Sequence, residues 1–250
     1  MGFKNYLWDE AWELNVSRGK VRGAFHIIKF GENLDIDGSI ETIWDGGGLY
    51  TYLTSAGVLT VTSTDGDDAA AGTGARTVTV EGLDANYNQV SETLTVGGSA
   101  GSVEFFRVFR AFVASSGSSG TNEGTISIAS GATTLAQIIK VGTGQGTGLG
   151  QTLMSIYSIP AGYTGYVYQW DVSTAKSDGN IFLVKRGHND NGTWRTQDII
   201  HANQNSIERS YKFPIKIEEK SDIEVRAISE ANNMKCAATL CILLIQNQSE

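Results

Sequence analysis

Residues 76–96, RTVTVEGLDANYNQVSETLTV, set Val78 and Val80 on one side of an extended chain and Thr77, Thr79 and Glu81 on the other. Alternation with a period of two buries one face of a β-strand and wets the other, and it does not fit the 3.6-residue repeat of a helix. DANYN between the runs supplies turn residues, so the pair reads as a hairpin. The same grammar recurs in AFHIIKF, in IETIW closed by DGGG at 45–48, and in GVLTVTS, TISIAS and AQIIKV. It restarts after residue 151 with QTLMSIYSIPAGYTGYVYQWDVST, GNIFLVKRGHNDNGTWRTQDIIH, SIERSYKFPIKI, SDIEVRAIS and KCAATLCILLIQ. Pro160–Gly162 marks a turn, and Asn191-Gly192 marks a hairpin tip where positive φ is wanted. Thirty glycines against two prolines suit many short strands joined by tight turns.

This pattern predicts an all-β protein of two β-sandwich or jelly-roll-like domains, preceded by a short helical arm. The expected divisions are an N-terminal arm with its lead-in strands (1–45), a first β domain (46–141), a glycine-rich linker (142–151) and a C-terminal sandwich (152–250). VEFFRVFRAFVA is apolar on both faces, with Val103, Phe105 and Phe109 opposite Phe106, Val108 and Phe112, and is expected to be a central strand. The final apolar run, Ala237 to Ile245, is expected to be central as well. Tyr166, Tyr168, Trp170 and Val172 are assigned to one face, against Val167, Gln169, Asp171 and Ser173.

The arm is read from NYLWDEAWELN, where Asn5 can cap a helix of about two turns with Leu7, Trp8, Ala11 and Trp12 on one side. So short a helix is marginal alone, and its apolar face must be held by the body of the protein or by a neighbouring chain. Both readings stay open, and the second makes Trp8 and Trp12 anchors in a partner's pocket.

Several motifs that would carry chemistry fail on spacing or context. GTGQGTGLGQ (142–151) contains no lysine to reach a phosphate, its glycines alternate instead of following GxGxxG, and a strand rather than a helix follows. A flexible joint is the better reading. GGSAG (97–101) matches a nucleophile elbow in letters only, since an aromatic strand follows where that elbow needs a helix. Asp65, Asp67 and Asp68 in TDGDD, with Asp35 and Asp37, do not complete a calcium loop, and a solvated turn is favoured. Cys236 and Cys241 lie five apart in one strand, on opposite faces, and cannot bridge within it. With His26, His188 and His201 scattered, no metal site or cofactor is expected.

Tyr163, Tyr166, Tyr168, Trp170 and Trp194 read as core packing before they read as a sugar platform. Asp171, Asp178, Asp190 and Asp198 are carboxylates whose pairing for glycoside cleavage is a tertiary property. The formal net charge of −8 argues against a nucleic-acid partner, which would demand basic residues. The longest aliphatic run is CILLI (241–245), so neither a membrane span nor a secretory signal is expected.

Three stretches together, KFGENLDIDGSIETIWDGGGLYTY, DDAAAGTGARTVTVEGLDANYNQVSETLTVGG and FFRVFRAFVASSGSSGTNEGTISI, resemble virion structural proteins of tailed bacteriophages, as does QTLMSIYSIPAGYTGYVYQWDVST followed by FPIKIEEKSDIEVRA. The resemblance covers residues 20–245 in order. It implies a β-rich, non-enzymatic particle component assembled in the host cytoplasm. It carries over no catalytic residue, and it implies a homo-oligomer, a trimer by preference, among major capsid, neck or tail subunits. The first reading is a capsid-exterior decoration or head- and neck-associated protein that docks through Leu7, Trp8, Trp12 and Trp44. The alternative is a tail or tail-fibre adaptor that binds a receptor or carbohydrate through His188, Asn189, Asp190, Asn191 and Trp194.

Overall fold

A computed structural model describes residues 11–140, 149–175, 178–188 and 192–248. A helix, α1 (Trp12–Ser17), leads into β1 (Ala24–Ile36) and β2 (Glu41–Thr42). The first half continues with β3 (Thr60–Ser63), β4 (Ala75–Leu83), β5 (Gln89–Thr95), β6 (Arg107–Ser116), β7 (Ile126–Ser130) and β8 (Thr133–Ile138). The second half holds β9 (Ile156–Ser158), β10 (Tyr163–Thr174), β11 (Asp178–Arg186), β12 (Arg195–Asn203), β13 (Ser206–Ile217), β14 (Asp222–Ser229) and β15 (Met234–Gln246). The all-β expectation holds, with a short helix at the N-terminal end.

Four antiparallel sheets result: β1-β15-β10-β13, β12-β11-β14-β2 with β9 beside β14, β3-β7-β8, and β5-β4-β6. β1 runs along β15 from Ala24 opposite Ile245 to Asn33 opposite Cys236, and β2 pairs with β14. Residues 24–42 thus complete the two sheets of the second half. Those sheets enclose one apolar cluster that includes Trp170, Val167, Leu240, Ile242, Leu183 and Val225. A second cluster, with Val78, Val80, Val61, Ile128, Phe105 and Ala111, fills the first half. Val78 and Val80 point inward as their alternation requires, while Thr79 bonds Thr93 across the outer surface at 2.8 Å.

Four expectations about placement change. The helix starts at Trp12, after an extended Ala11 (φ −49°, ψ 136°) that offers no side-chain cap; Asn5, Leu7 and Trp8 lie outside the described residues. β15 is central as expected, whereas β6 is an outer strand with β4 in the middle. β6 is apolar on both faces because it lies between the cores: Val108 and Ala111 enter the second cluster, and Phe109 packs on the first, 4.9 Å from the ring of Tyr157. Its free side is stitched to the end of the glycine run and the residue that follows it, where Val113 N–H donates to the Gly150 carbonyl at 2.7 Å and Thr152 N–H to that of Ala111 at 2.9 Å. Residues 142–148 of that run lie outside the described residues.

Tyr166, Tyr168, Trp170 and Val172 do not share a face. The pairing of β10 with β13 jumps from Val167 opposite Ile215 to Gln169 opposite Ser210. A bulge of this kind flips every residue beyond it. Tyr166 and Tyr168 therefore sit on the outer side, and Trp170 and Val172 are buried inside with Val167.

Asp68 is a buried knot where a solvated turn was expected. Its carboxylate accepts from Ser63 Oγ (2.6 Å) and from the backbone N–H groups of Ala75 (2.7 Å), Glu123 (2.8 Å) and Gly124 (2.7 Å). Burial pushes its pKa up, but these donors outweigh burial and hold it below the usual carboxylate value. Replacing Asp68 with Ala is expected to lower unfolding free energy by roughly 2–4 kcal/mol in urea titrations, since buried donors lose a charged acceptor. The folded carboxyl titrates below the unfolded one, so its contribution is complete above about pH 4 and is lost as pH falls toward the folded value. Asp68→Asn should lack that part of the acid-induced loss.

Candidate interaction surface

Directly opposed residues in an antiparallel sheet share a face, so the pairings of β1, β15 and β10 define rows across the outer side of their sheet. One row is His26–Leu243–Tyr166, the next Ile28–Cys241–Gln169, and the third Phe30–Thr239–Asp171. The β1 side of this surface is apolar. α1 covers part of it: Val16 is buried, and Trp12 helps line a recess of about 350 Å³ with His26, Tyr166, Tyr168, Pro214 and Leu243. Beyond the helix the strip is open, with Ile28 53% and Phe30 40% exposed, and Trp12 itself remains 49% exposed. At the opposite edge, the excursion in β13 that accompanies the bulge carries Phe213, 83% exposed. The outer side of β5-β4-β6 is polar by contrast, with Thr77 opposite Thr95, Thr79 opposite Thr93 and Glu81 opposite Ser91.

Two polar groups of the recess engage each other. Tyr168 Oη lies 2.6 Å from His26 Nε2. Burial pushes the Tyr168 phenol up to about 12 and lowers the His26 pKa, so both are neutral at pH 7. Burial likewise pushes the Cys236 thiol up to about 12, far from the thiolate range needed for a nucleophile.

The densest set of charges lies buried between the two cores. Arg107 on β6 clamps Asp222 on β14 with both prongs, Nε to Oδ1 at 2.8 Å and Nη2 to Oδ2 at 3.1 Å. Arg186 of β11 adds Nη2 to Oδ2 at 2.5 Å, and Ser158 Oγ donates to Oδ1 at 2.6 Å. Two residues on, buried Glu224 accepts from Tyr52 Oη (2.7 Å), Thr42 Oγ1 (3.3 Å) and Arg226 Nε. Burial raises its pKa, opposed by Arg226. Cations and rings alternate through the group: Arg226 over Trp194 (4.3 Å), Arg186 over Trp194 (4.8 Å) and Tyr52 (4.5 Å), Arg107 over Tyr52 (5.1 Å) and Phe106 (3.9 Å). Asp222 and Glu224 sit one period apart on a strand, yet every oxygen is engaged by the protein. The pair acts as a cross-brace and presents no carboxylate to a substrate.

The remaining predicted residues are dispersed. Trp44 is buried, edge-on to Tyr50 at 5.1 Å, with its indole N–H on the carbonyls of Gly47 and Gly48, so it packs the second core and is not available for docking. Trp12 is the one predicted anchor that the described residues leave at the surface; Leu7 and Trp8 lie outside them. His188 is exposed beside Tyr87, while Asn189, Asp190 and Asn191 lie outside the described residues. Trp194 is half-buried with guanidinium groups against its ring. Of the weak glycosidase candidates, Asp198 accepts from Trp170 Nε1 (3.2 Å), Arg209 Nη1 (2.8 Å) and Tyr211 Oη. Asp171 lies half-exposed on the outer face, and Asp190 and the side chain of Asp178 lie outside the described residues. Among the described residues there is no cluster of three or more His, Cys, Asp or Glu able to hold a metal, and no helix is long and apolar enough to cross a membrane. Sequence reasoning missed Arg107, Asp222 and Glu224. The only local signal was charge within the apolar strands FFRVFRAF and SDIEVRAIS.

No protein-family profile and no curated protein matches the chain. Among solved structures, the Gx strain of infectious bursal disease virus aligns over 91% of this chain and 73% of its own, at 9% identity and a TM-score of 0.22. The VP2 subviral particle of the same virus aligns over 90% and 73%, at 10% identity and a TM-score of 0.20. A likeness this low carries no argument about function.

Replacing Arg107 with Met is expected to cost about 3 kcal/mol in chemical denaturation, because it leaves Asp222 buried with one arginine in place of two. Arg107→Lys should recover less than half, since an ammonium cannot make the two-pronged contact or the ring stacking.

Proposed function

We propose that this chain is a non-enzymatic structural subunit of a virion, of the tailed-bacteriophage kind its sequence resembles. In this reading it sits on the capsid exterior or at the head and neck, and it meets sister subunits and other virion proteins through its N-terminal arm and the adjoining sheet surface. The observation that carries the reading is the open apolar strip of Trp12, Ile28 and Phe30 on the outer side of a sandwich sheet. Contiguous apolar surface on a folded domain marks a place where another molecule sits. The engaged state of Asp222, Glu224 and Asp198 supports a role without turnover. The alternative, a carbohydrate or receptor binder built on His188 and Trp194, is weakened by the guanidinium groups on the Trp194 ring, which a sugar would have to displace.

A homo-oligomer, trimeric by preference, follows from the same reading. In sedimentation velocity the full chain is expected to run as an oligomer, and Ile28→Ser combined with Phe30→Ser should shift it toward monomer with a melting temperature within a few degrees of the parent. A parent chain that stays monomeric at every concentration and is absent from purified particles would sink the proposal.

A further inference from the structure

β1 is the outermost strand of its sheet, and between it and the β5-β4-β6 sheet runs a cleft of about 580 Å³. Lys29, Glu81, Val90, Phe109, Arg110 and Thr152 are among its lining residues. Clefts of this size hold small ligands.

A buried ammonium is costly unless an opposite charge is paired with it. Lys29 is 8% exposed, and its ammonium rests on the Phe109 carbonyl, with the ring of that residue 5.8 Å away. Among the described residues no carboxylate forms an ion pair with it. The acidic groups nearby are taken or neutral. Glu81 pairs at 3.5 Å with Arg110, which lies opposite it on β6. Burial pushes Asp45 up to about 8, so it is protonated at pH 7, and its Oδ1 is enclosed without a hydrogen-bond partner. His26, its pKa lowered by burial, and the Tyr157 phenol, raised by burial, add no charge at that pH. One positive charge is left over, and a single negative charge would balance it.

A second donor lies close by. Thr152 is 4% exposed, and its Oγ1 accepts from Ala111 N–H at 3.1 Å, which leaves the hydroxyl hydrogen to point elsewhere. The Lys29 ammonium and the Thr152 hydroxyl thus engage backbone groups two residues apart on β6, a span of about 7 Å at most. Two ammonium hydrogens and one hydroxyl hydrogen remain for a ligand. Val90 and Phe109 add apolar surface to the same cleft.

We propose that this cleft binds a small organic carboxylate, whose oxygens take the free hydrogens of Lys29 and Thr152 and whose apolar body lies against Val90 and Phe109. A dianion would exceed the one charge available and would meet Glu81. The inference goes beyond the assembly reading above and does not depend on it. Burial, and after it the neighbouring Arg110, lower the Lys29 pKa to about 7. A bound carboxylate favours the charged ammonium, so affinity falls as rising pH removes that charge.

The probe is benzoate, with benzamide as its uncharged match, titrated into the full chain and followed by amide chemical shifts and melting temperature. Benzoate is expected to raise the melting temperature and to move the signals of Lys29, Phe109, Ala111 and Thr152, and benzamide to do neither. The benzoate Kd should be about eightfold weaker at pH 8 than at pH 6.5, the factor for one group of pKa about 7 that must be protonated. Lys29→Met keeps most of the side-chain volume, drops the charge and should weaken benzoate at least about tenfold. Should that variant fail to fold, the pH dependence of the parent chain decides. Absence of benzoate binding, equal binding of benzamide, a pH-independent Kd or shifts confined to other surfaces overturns the proposal. So does benzoate binding that appears only after Asp9→Asn with Glu10→Gln, which would assign the cleft to the chain's own acidic residues.

Discussion

The clamp of Arg107 on Asp222 joins residues 115 apart in sequence and holds the two cores against each other. Desolvating either charge alone would cost several kcal/mol, so neither half can keep its partner's site dry without the other in place. The geometry offsets that cost in two ways. Both carboxylate oxygens of Asp222 are bonded, by Arg107, Arg186 and Ser158. The guanidinium planes then stack on Phe106, Tyr52 and Trp194, which shield them without competing for hydrogens.

Because the brace uses arginines on three strands and aromatic rings from loops, it also fixes surfaces far from it. β6 is held by Arg107 at one end and stitched to residues 150–152 farther along, and Phe109 between them enters the first core. This arrangement sets the β5-β4-β6 sheet beside β1 and creates the cleft between them. The open side of β1 and the apolar strip next to it are consequences of where the brace puts the two halves. The carboxylates of Asp222 and Glu224 are committed to this packing.

Much of the strand content was legible. The alternation in RTVTVEG put Val78 and Val80 inside, the unbroken apolar run near the C-terminus marked β15 as central, and Pro160–Gly162 and Gly192 mark turns, with positive φ at both glycines. The errors came where a local pattern had two structural causes. β6 is apolar on both faces because it touches two cores, and a central position in one sheet would have written the same sequence. The residues Tyr166 to Val172 looked like one face because a period of two carries no mark of a bulge, and the extra residue, Tyr168, shows itself only in the register of β10 against β13 and β15. Trp44 was read as surface, though its indole finds the carbonyls of Gly47 and Gly48 and an apolar pocket beside Tyr50.

The sequence by itself determined that this chain forms antiparallel sheets with tight turns, because side-chain alternation and turn chemistry act over a few residues and need no distant partner. Only the tertiary structure decided which strands lie at edges, that residues 24–42 join the sheets of the second half, and that Asp222, Glu224 and Asp68 are buried and bonded. Those outcomes depend on groups separated by 55 to 182 residues coming within about 3 Å, and no local preference encodes a distance across that much chain.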